Sequence, residues 1–317
     1  MRASVIIPTY NKVDRLSLVL EAYKLQTEET SDYEVIVVDD GSTDGTQNFI
    51  ENFKSSLNIK YCHQPNGGRS TARNHGISLA GADLIIFCDD DLIVPKEFIS
   101  AHVDLHRRDQ ADVVHGAIYN LPYLKFFKNP ETGELFQQGE ERTELDYLKR
   151  YLLTKADLIN MEKIEQQKKT TQFERLIQST FNSETTALQW LSFTGGNVSC
   201  TKKFLEKAGG FNETLGKKWG CEDIELGYRL YKNNARFLYS YNAFNYHMAH
   251  VRKTFKGEVE ESVHNFYLLH PDKCILHLAK LLLGEIRSAE EYMDYIAERE
   301  GNNEIMSGLM EKTVAWK

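Results

Sequence analysis

The chain opens on a short apolar run, Ser4-Val5-Ile6-Ile7, closed by Pro8, and the same unit recurs downstream. Glu34-Val35-Ile36-Val37-Val38 and Leu84-Ile85-Ile86-Phe87 are continuous apolar runs of strand length, as expected of strands buried on both faces. A shorter strand is expected around Ile59-Lys60-Tyr61. Between these runs, apolar residues return at helical spacing. Leu16, Val19, Leu20 and Tyr23 share one face, Phe49, Ile50, Phe53 and Leu57 another, and a third helix is expected through Ala72 to Leu79. Strands alternating with amphipathic helices predict an α/β fold, doubly wound, with a mostly parallel central sheet and helices on both faces.

Farther along, a helix is expected near Lys96–Arg107 and a strand over Asp112–Ile118. From about 120 to 186 the pattern changes to charged, Gln-rich, helix-prone sequence with no strand signal, which reads as a helical insertion. The sheet pattern resumes at Trp190 and runs to Ser199. Helices over Lys202–Ala208 and Ile224–Tyr231 and a strand at Arg236–Tyr239 follow. From Glu258 the chain reads helical, with Leu276, Ala279, Leu282 and Leu283 on one face. The expected organisation is a main domain over about 1–257, divided as 1–118, the insertion 120–186 and a second half 187–257. A helical C-terminal extension follows over 258–317.

Composition narrows the classes. In 317 residues, 41% hydrophobic and 11% aromatic content supports a sizeable core, and a net charge of -8 argues against a nucleic-acid partner. No 18-residue apolar run exists, so no transmembrane helix is expected, which leaves peripheral membrane association open. The N-terminus lacks the long apolar segment of a signal peptide. Five scattered cysteines (Cys62, Cys88, Cys200, Cys221, Cys274) form no CxxC pair and read as reduced thiols of a cytoplasmic protein.

In a doubly wound sheet, ligands bind beyond the carboxyl ends of the strands. Two acidic groups fall there: Asp39-Asp40, leading into Gly41-Ser42-Thr43-Asp44, and Asp89-Asp90-Asp91 directly after Phe87-Cys88. Three adjacent carboxylates repel one another and call for positive charge, most simply a divalent metal carrying a phosphate-rich ligand. The plainer alternative is a solvated turn capping the next helix.

Val5-Ile6-Ile7-Pro8-Thr9-Tyr10-Asn11, Val37-Val38-Asp39-Asp40-Gly41-Ser42-Thr43-Asp44, Asn66-Gly67-Gly68 with Ala72-Arg73-Asn74-His75-Gly76, and Phe87-Cys88-Asp89-Asp90-Asp91 together resemble the family 2 inverting glycosyltransferases of the GT-A fold. Thr194-Gly195-Gly196-Asn197 and Trp219-Gly220-Cys221-Glu222-Asp223-Ile224-Glu225 are similar to that family's acceptor-side motifs. The resemblance is dense over 3–98 and 190–250, weak in the insertion and absent from the tail. It implies transfer of a hexose or N-acetylhexosamine from a UDP-sugar to a hydroxyl by single displacement, assisted by Mn²⁺ or Mg²⁺. The acceptor stays open among glycan, lipid-linked sugar, peptide and small molecule.

Two other functions compete. A nucleotidyltransferase acting on sugar phosphates would carry a glycine-rich basic loop where Pro8-Thr9-Tyr10-Asn11 stands. A catalytically inactive nucleotide-sugar-binding scaffold would show decay in the acidic pairs, which are intact. A dehydrogenase is disfavoured because no GxGxxG opens the first helix.

Roles follow residue by residue. Tyr10 can lie on a uracil ring or pack half-buried, and Asp40 can accept the uracil N3 proton or cap a turn. Pro8 and Thr9 line the same pocket. Arg73 pairs with the diphosphate or with the Asp cluster, or else forms a surface salt bridge. The resemblance makes Asp89 and Asp91 the DxD pair, with Asp91 on the metal, Asp89 on ribose or a metal-bound water, and Asp90 beside them at the nucleotide. The third metal ligand is expected at His247, placed after the final strand, with His250 competing. Asp223 is the implied base with Glu222 beside it, although both would also favour a helix N-terminus electrostatically. Gly196 and Trp219 fall on the acceptor side, Trp219 stacking on a sugar or sitting in the core. The insertion contacts the acceptor, forms a lid, or packs peripherally.

Overall fold

The computed structural model describes residues 2–108, 111–136, 142–216, 220–250 and 256–301. Among the described residues nine strands form one sheet: β1 (Ala3–Thr9), β2 (Tyr33–Asp39), β3 (Ile59–His63), β4 (Leu84–Cys88), β5 (Leu92–Ile93), β6 (Val113–Leu121), β7 (Lys169–Thr170), β8 (Asn197–Thr201) and β9 (Phe237–Met248). Their order is β3-β2-β1-β4-β8-β6-β9-β5, with β7 on the flank of β6. β3, β2, β1 and β4 run parallel, as the alternation predicts. β8 is antiparallel to both β4 and β6, so β6 recovers the original direction, and β9 follows it. Only β5, β7 and β8 run against the rest, which makes the sheet mostly parallel.

Strand periodicity explains the two-sided core. Val5, Ile7, Val35, Val37 and Ile86 face one layer, where helix Val13–Tyr23 contributes Leu16, Val19 and Tyr23 and helix Phe98–Arg108 contributes Phe98 and Val103. Their neighbours Ile6, Ile36, Val38, Ile85 and Phe87 face the other layer, against Ala72 and Ile77 of helix Arg69–Leu79 and Leu226 and Leu230 of helix Glu222–Lys232. Burying such a side chain contributes about 1.5–3 kcal/mol, so runs apolar at both alternating sets can only be interior strands. A third apolar cluster joins Trp190, Ile224 and Tyr228 to the C-terminal helices through Val263, Phe266, Leu278 and Tyr292. Among the described residues no helix is long and apolar enough to cross a membrane.

Several expectations need correction. Trp190-Leu191-Ser192 belongs to a 3-10 helix, Thr186–Ser192, and the strand starts only at Asn197. The Trp190 ring sits edge-on to Tyr228 and Phe266, so its burial comes from helix packing and not from a sheet. The helix carrying Phe49 and Ile50 ends at Asn52, leaving Phe53 and Leu57 in the connection to β3. The insertion is a series of short helices, and it does supply a strand: β7 pairs with Tyr119 and Asn120. Finally, Tyr246-His247 lies inside β9. Gly116 pairs with Ser240 but Ile118 with Asn245, so β9 bulges between its halves and the alternation is lost there.

Candidate active site

The loops after β1 and β2 are tied to each other. Asn11, in the left-handed region at φ 54°, accepts from the Thr43 amide at 2.8 Å and donates its own amide to the Ser42 hydroxyl at 2.9 Å. Asp39 is fully buried, accepting from the Ser42 amide (2.7 Å) and the Tyr61 hydroxyl (2.8 Å). Asp40 accepts from Gln64 Nε2 (2.7 Å) and from the Gly67 and Gly68 amides (2.9 and 2.8 Å), which fixes the glycine loop ahead of helix Arg69–Leu79. A carboxylate offers about four lone-pair positions, so Asp40 keeps one acceptor position. Tyr10 beside it is 50% exposed, Pro8 and Thr9 are buried in β1, and the Thr9 hydroxyl donates to Asp90 at 2.8 Å.

Past β4 the three carboxylates diverge. Asp90 and Asp91 are buried, whereas Asp89 is a third exposed. The positive charge that the cluster demands is supplied by Lys12, whose Nζ lies 3.1 Å from Asp90 Oδ1 and 2.7 Å from Asp91 Oδ2. Burial alone would lower the Lys12 ammonium, but Asp90 and Asp91 outweigh it and hold the pKa up. Burial raises Asp90, with Lys12 opposing. Burial acts on Asp91 too, yet Lys12, His247 and His250 overcome it and hold this carboxyl well below the usual range.

His247 and His250 both face Asp91. Their Nε2 atoms lie 3.6 and 3.4 Å from Asp91 Oδ2, and one ligand atom from each of the three residues falls within 4.8 Å of the others. An ion about 2.0–2.2 Å from each donor would separate the donors by such distances, so the group fits a divalent cation. Three contacts hold it in place. His247 Nδ1 lies 3.0 Å from Asn120 Oδ1, a contact that orients the ring with Nε2 toward Asp91. The Met248 amide donates to the Asp91 carbonyl at 2.9 Å. Arg15, buried in helix Val13–Tyr23, donates to the Met248 carbonyl and to Phe127 (2.8 Å) and Ala249 (3.2 Å), pinning the segment that carries both histidines. Both His247 and His250 thus stand close enough to Asp91 to share a cation with it. Asp89, expected at the metal, lies outside this group.

Asp89 instead accepts from Arg73 Nη2 at 3.0 Å, and Arg73 Nη1 donates to Glu222 at 3.1 Å. Arg73 is 2% exposed, so this is an internal bridge and not a surface pair. It joins the acidic turn to the start of helix Glu222–Lys232. Burial alone would depress the guanidinium, but Asp89 and Glu222 raise it. A methyl group on Gly195 would overlap the Arg73 guanidinium, so only glycine lets the 194–197 loop cross this bridge. Gly196 is less confined, with a methyl group there meeting Leu92 at 3.1 Å and lying in ordinary contact with Ile118 and Asp89.

Glu222 and Asp223 separate in environment. Glu222 is 3% exposed and also meets Arg69 at 3.1 Å; burial opposes its ionisation, but Arg69 and Arg73 hold its pKa down. Asp223 is only partly buried and accepts from the Gly195 amide (3.0 Å) and the Ile224 amide (2.8 Å). Burial and the Glu222 charge push its pKa up, with Arg73 and the two amides opposing. Asp89, Arg73, Gly196, Glu222, Asp223 and His247 line one cavity of about 350 Å³, within the usual range for small-molecule sites. Trp219 lies outside the described residues.

Sequence reasoning gave no role to Lys12 or Arg15. Both carried a signal: each is a cation just past β1, at the strand end where the acidic groups collect.

A family model described as "Glycosyl transferase family 2" matches residues 4–188, and one described as "N-terminal domain of galactosyltransferase" matches 177–252. Validoxylamine A glucosyltransferase of Streptomyces hygroscopicus subsp. jinggangensis (strain 5008) is 31% identical over 252 residues, 78% of this chain and 56% of that protein. The chain spans between 34% and 65% of the length of the first curated relatives it matches. The fold is shared with S. aureus TarS 1–349 in complex with UDP-GlcNAc (TM-score 0.56, 19% identity, 97% of this chain and 75% of that one). It is shared as well with the mannosyltransferase PcManGT from Pyrobaculum calidifontis in complex with GDP-Man and Mn²⁺ (TM-score 0.56, 17% identity, 99% and 79%). With a family match over more than half its length, and a GT-A-type sheet carrying the acidic turn where the motifs predict it, the chain belongs to glycosyl transferase family 2.

Proposed function

We propose that this glycosyltransferase moves a sugar from a UDP-sugar to an acceptor hydroxyl with inversion, Asp223 acting as the base. The carrying observation is the asymmetry of the Glu222-Asp223 pair. Glu222 is spent on two arginines, whereas Asp223 reaches the cavity with a raised pKa and an orientation set by two backbone amides. A carboxylate so placed can take the acceptor proton as the new C–O bond forms and the bond to the diphosphate breaks.

Tyr10 and the free acceptor position of Asp40 suit a uracil ring and its N3 proton. The UDP-GlcNAc bound by the TarS neighbour is in keeping with such a donor. Asp91, His247 and His250 would hold Mn²⁺ in preference to Mg²⁺, since two imidazoles suit the softer ion. When bound, it supplies charge neutralisation for the departing diphosphate. The catalytic unit in this reading ends near residue 257, with the later helices buttressing the acceptor side.

Replacing Asp223 by Asn tests the assignment. Transfer should fall by about 10²–10⁴-fold, while stabilisation by UDP-sugar in a thermal-shift assay stays close to wild type. A loss of donor binding as large as the loss of transfer would remove the base role.

A further inference from the structure

The cavity is not walled by the sheet residues alone. Helix Gln172–Ser179 of the insertion contributes Phe173, Glu174 and Ile177 to its lining. Thr171-Gln172-Phe173-Glu174 has capping-box spacing, and Thr171 does cap the helix, accepting from the Glu174 amide at 3.0 Å. The Glu174 side chain goes elsewhere. Only 2% exposed, it accepts from the Tyr239 hydroxyl at 2.7 Å and stands 3.4 Å from His115 Nε2. His115 Nδ1 in turn lies 3.3 Å from the Thr194 hydroxyl, next to the Gly195 amide that holds Asp223. Insertion and base are therefore joined through a short polar chain.

The charges along this wall are uneven. The lining holds four carboxylates (Asp89, Glu174, Glu222, Asp223) and two arginines, Arg69 and Arg73. Both arginines pair with Glu222, and Arg73 also pairs with Asp89. An acceptor carrying its own carboxylate or phosphate would meet repulsion from this wall, with Glu174 acting through its charge because its oxygens are buried against Tyr239 and His115. Phe173, beside Glu174 and 36% exposed, offers apolar surface for the C–H face of a sugar ring.

We infer that the insertion helix Gln172–Ser179 forms the acceptor wall of the cavity and that the charge of Glu174 in that wall favours an uncharged acceptor over an anionic one. The inference rests on the glycosyl-transfer reading, and the test keeps the two apart. UDP release from UDP-glucose and UDP-N-acetylglucosamine would be measured alone, with methyl β-glucoside, and with methyl β-glucuronoside, which differs only in the C6 carboxylate. The neutral glycoside should accelerate release with kcat/KM at least about tenfold above the glucuronoside, and added salt should narrow the gap. Glu174→Gln should narrow it as well, and Glu174→Asp should preserve it. A merely structural Glu174 would change both acceptors alike. Equal or better use of the glucuronoside, a gap insensitive to salt, or no acceleration by either glycoside while the donor still turns over would overturn the inference alone. No UDP release under any condition would overturn the glycosyl-transfer reading with it. If Glu174→Gln does not fold, the salt response of the wild-type preference decides.

Discussion

Arg73→Met isolates the bridge on which the site is built. Methionine keeps much of the buried stem but removes the guanidinium that joins Asp89 to Glu222 at 3.0 and 3.1 Å. The two arms are unequal. Asp89 is a third exposed, so water can replace its partner and its loss costs at most about 1 kcal/mol. The Glu222 side chain is 4% exposed and would keep the more strongly screened contact to Arg69, itself 37% exposed. Leaving a buried carboxylate without its buried partner costs about 3–5 kcal/mol, and the remaining contact to Arg69 points to the lower end. A loss of about 3 kcal/mol is a factor of more than about 100 in the folding equilibrium. It should appear in urea titration as a lower midpoint with an unchanged slope. Adding Glu222→Gln removes the stranded charge and should restore part of the loss. The double variant would then be more stable than Arg73→Met alone. A loss below about 1 kcal/mol for Arg73→Met, or a double variant no better than the single one, would show that this bridge is solvent-screened and the reasoning wrong. Gly195→Ala reaches the same bridge from the backbone side and should destabilise through displacement of Arg73.

The remaining predictions concern chemistry and binding. In the proposed base role Asp223 would act only when ionised, and with its pKa raised, wild-type kcat/KM should fall as pH drops through a point above the ordinary aspartate value of about 3.9. Glu222→Gln removes a like charge and should move that acid limb to lower pH; an unmoved limb in the pH profile would sever the link between the two carboxylates. Asn120→Ala frees the His247 ring and should weaken Mn²⁺ affinity by about 10–100-fold in calorimetry, whereas an unchanged affinity would put His247 outside the metal site. Tyr10→Ala should cost UDP about 1–3 kcal/mol of binding if the ring stacks on the base, and no change in Kd would assign the exposed ring another role.

How far the sequence reveals the molecule follows from where the physics is local. Val5–Ile7, Val35–Val38 and Ile85–Phe87 read correctly because a strand covered on both faces has no polar alternation, a pattern that depends on the strand alone. Trp190-Leu191-Ser192-Phe193 imitates such a strand, but Trp190 is claimed by Tyr228 and Phe266 and Phe193 by Phe87 and Phe211, all distant in sequence. β5 is two residues long and has no period to detect. His247 could be singled out but not placed, since the bulge between Ser240 and Asn245 cuts β9 into halves that look unrelated. The carboxylate clusters were visible as clusters. Lys12, the cation on Asp90 and Asp91, sits 78 and 79 residues before them in sequence, so only the closed sheet shows which oxygens it reaches.

The Glu222-Asp223 pair shows the same limit at its sharpest. Two adjacent acids at a helix start have equal claims on the base role as long as only the helix terminus is considered. What separates them is the approach of the chain. Gly220 at φ 117° and Cys221 at φ 65° both lie in the left-handed region, which costs a residue with a side chain about 1–3 kcal/mol. That path delivers Glu222 to Arg73 and Arg69, and it leaves Asp223 to the Gly195 amide. The amide is within reach only because Gly195 has no side chain to strike Arg73. Gly195 of the glycine-rich motif and Asp223 of the acidic pair, 28 residues apart, therefore belong to two halves of one device. Glycine admits the arginine, the arginine neutralises one carboxylate, and the glycine amide orients the other toward the cavity.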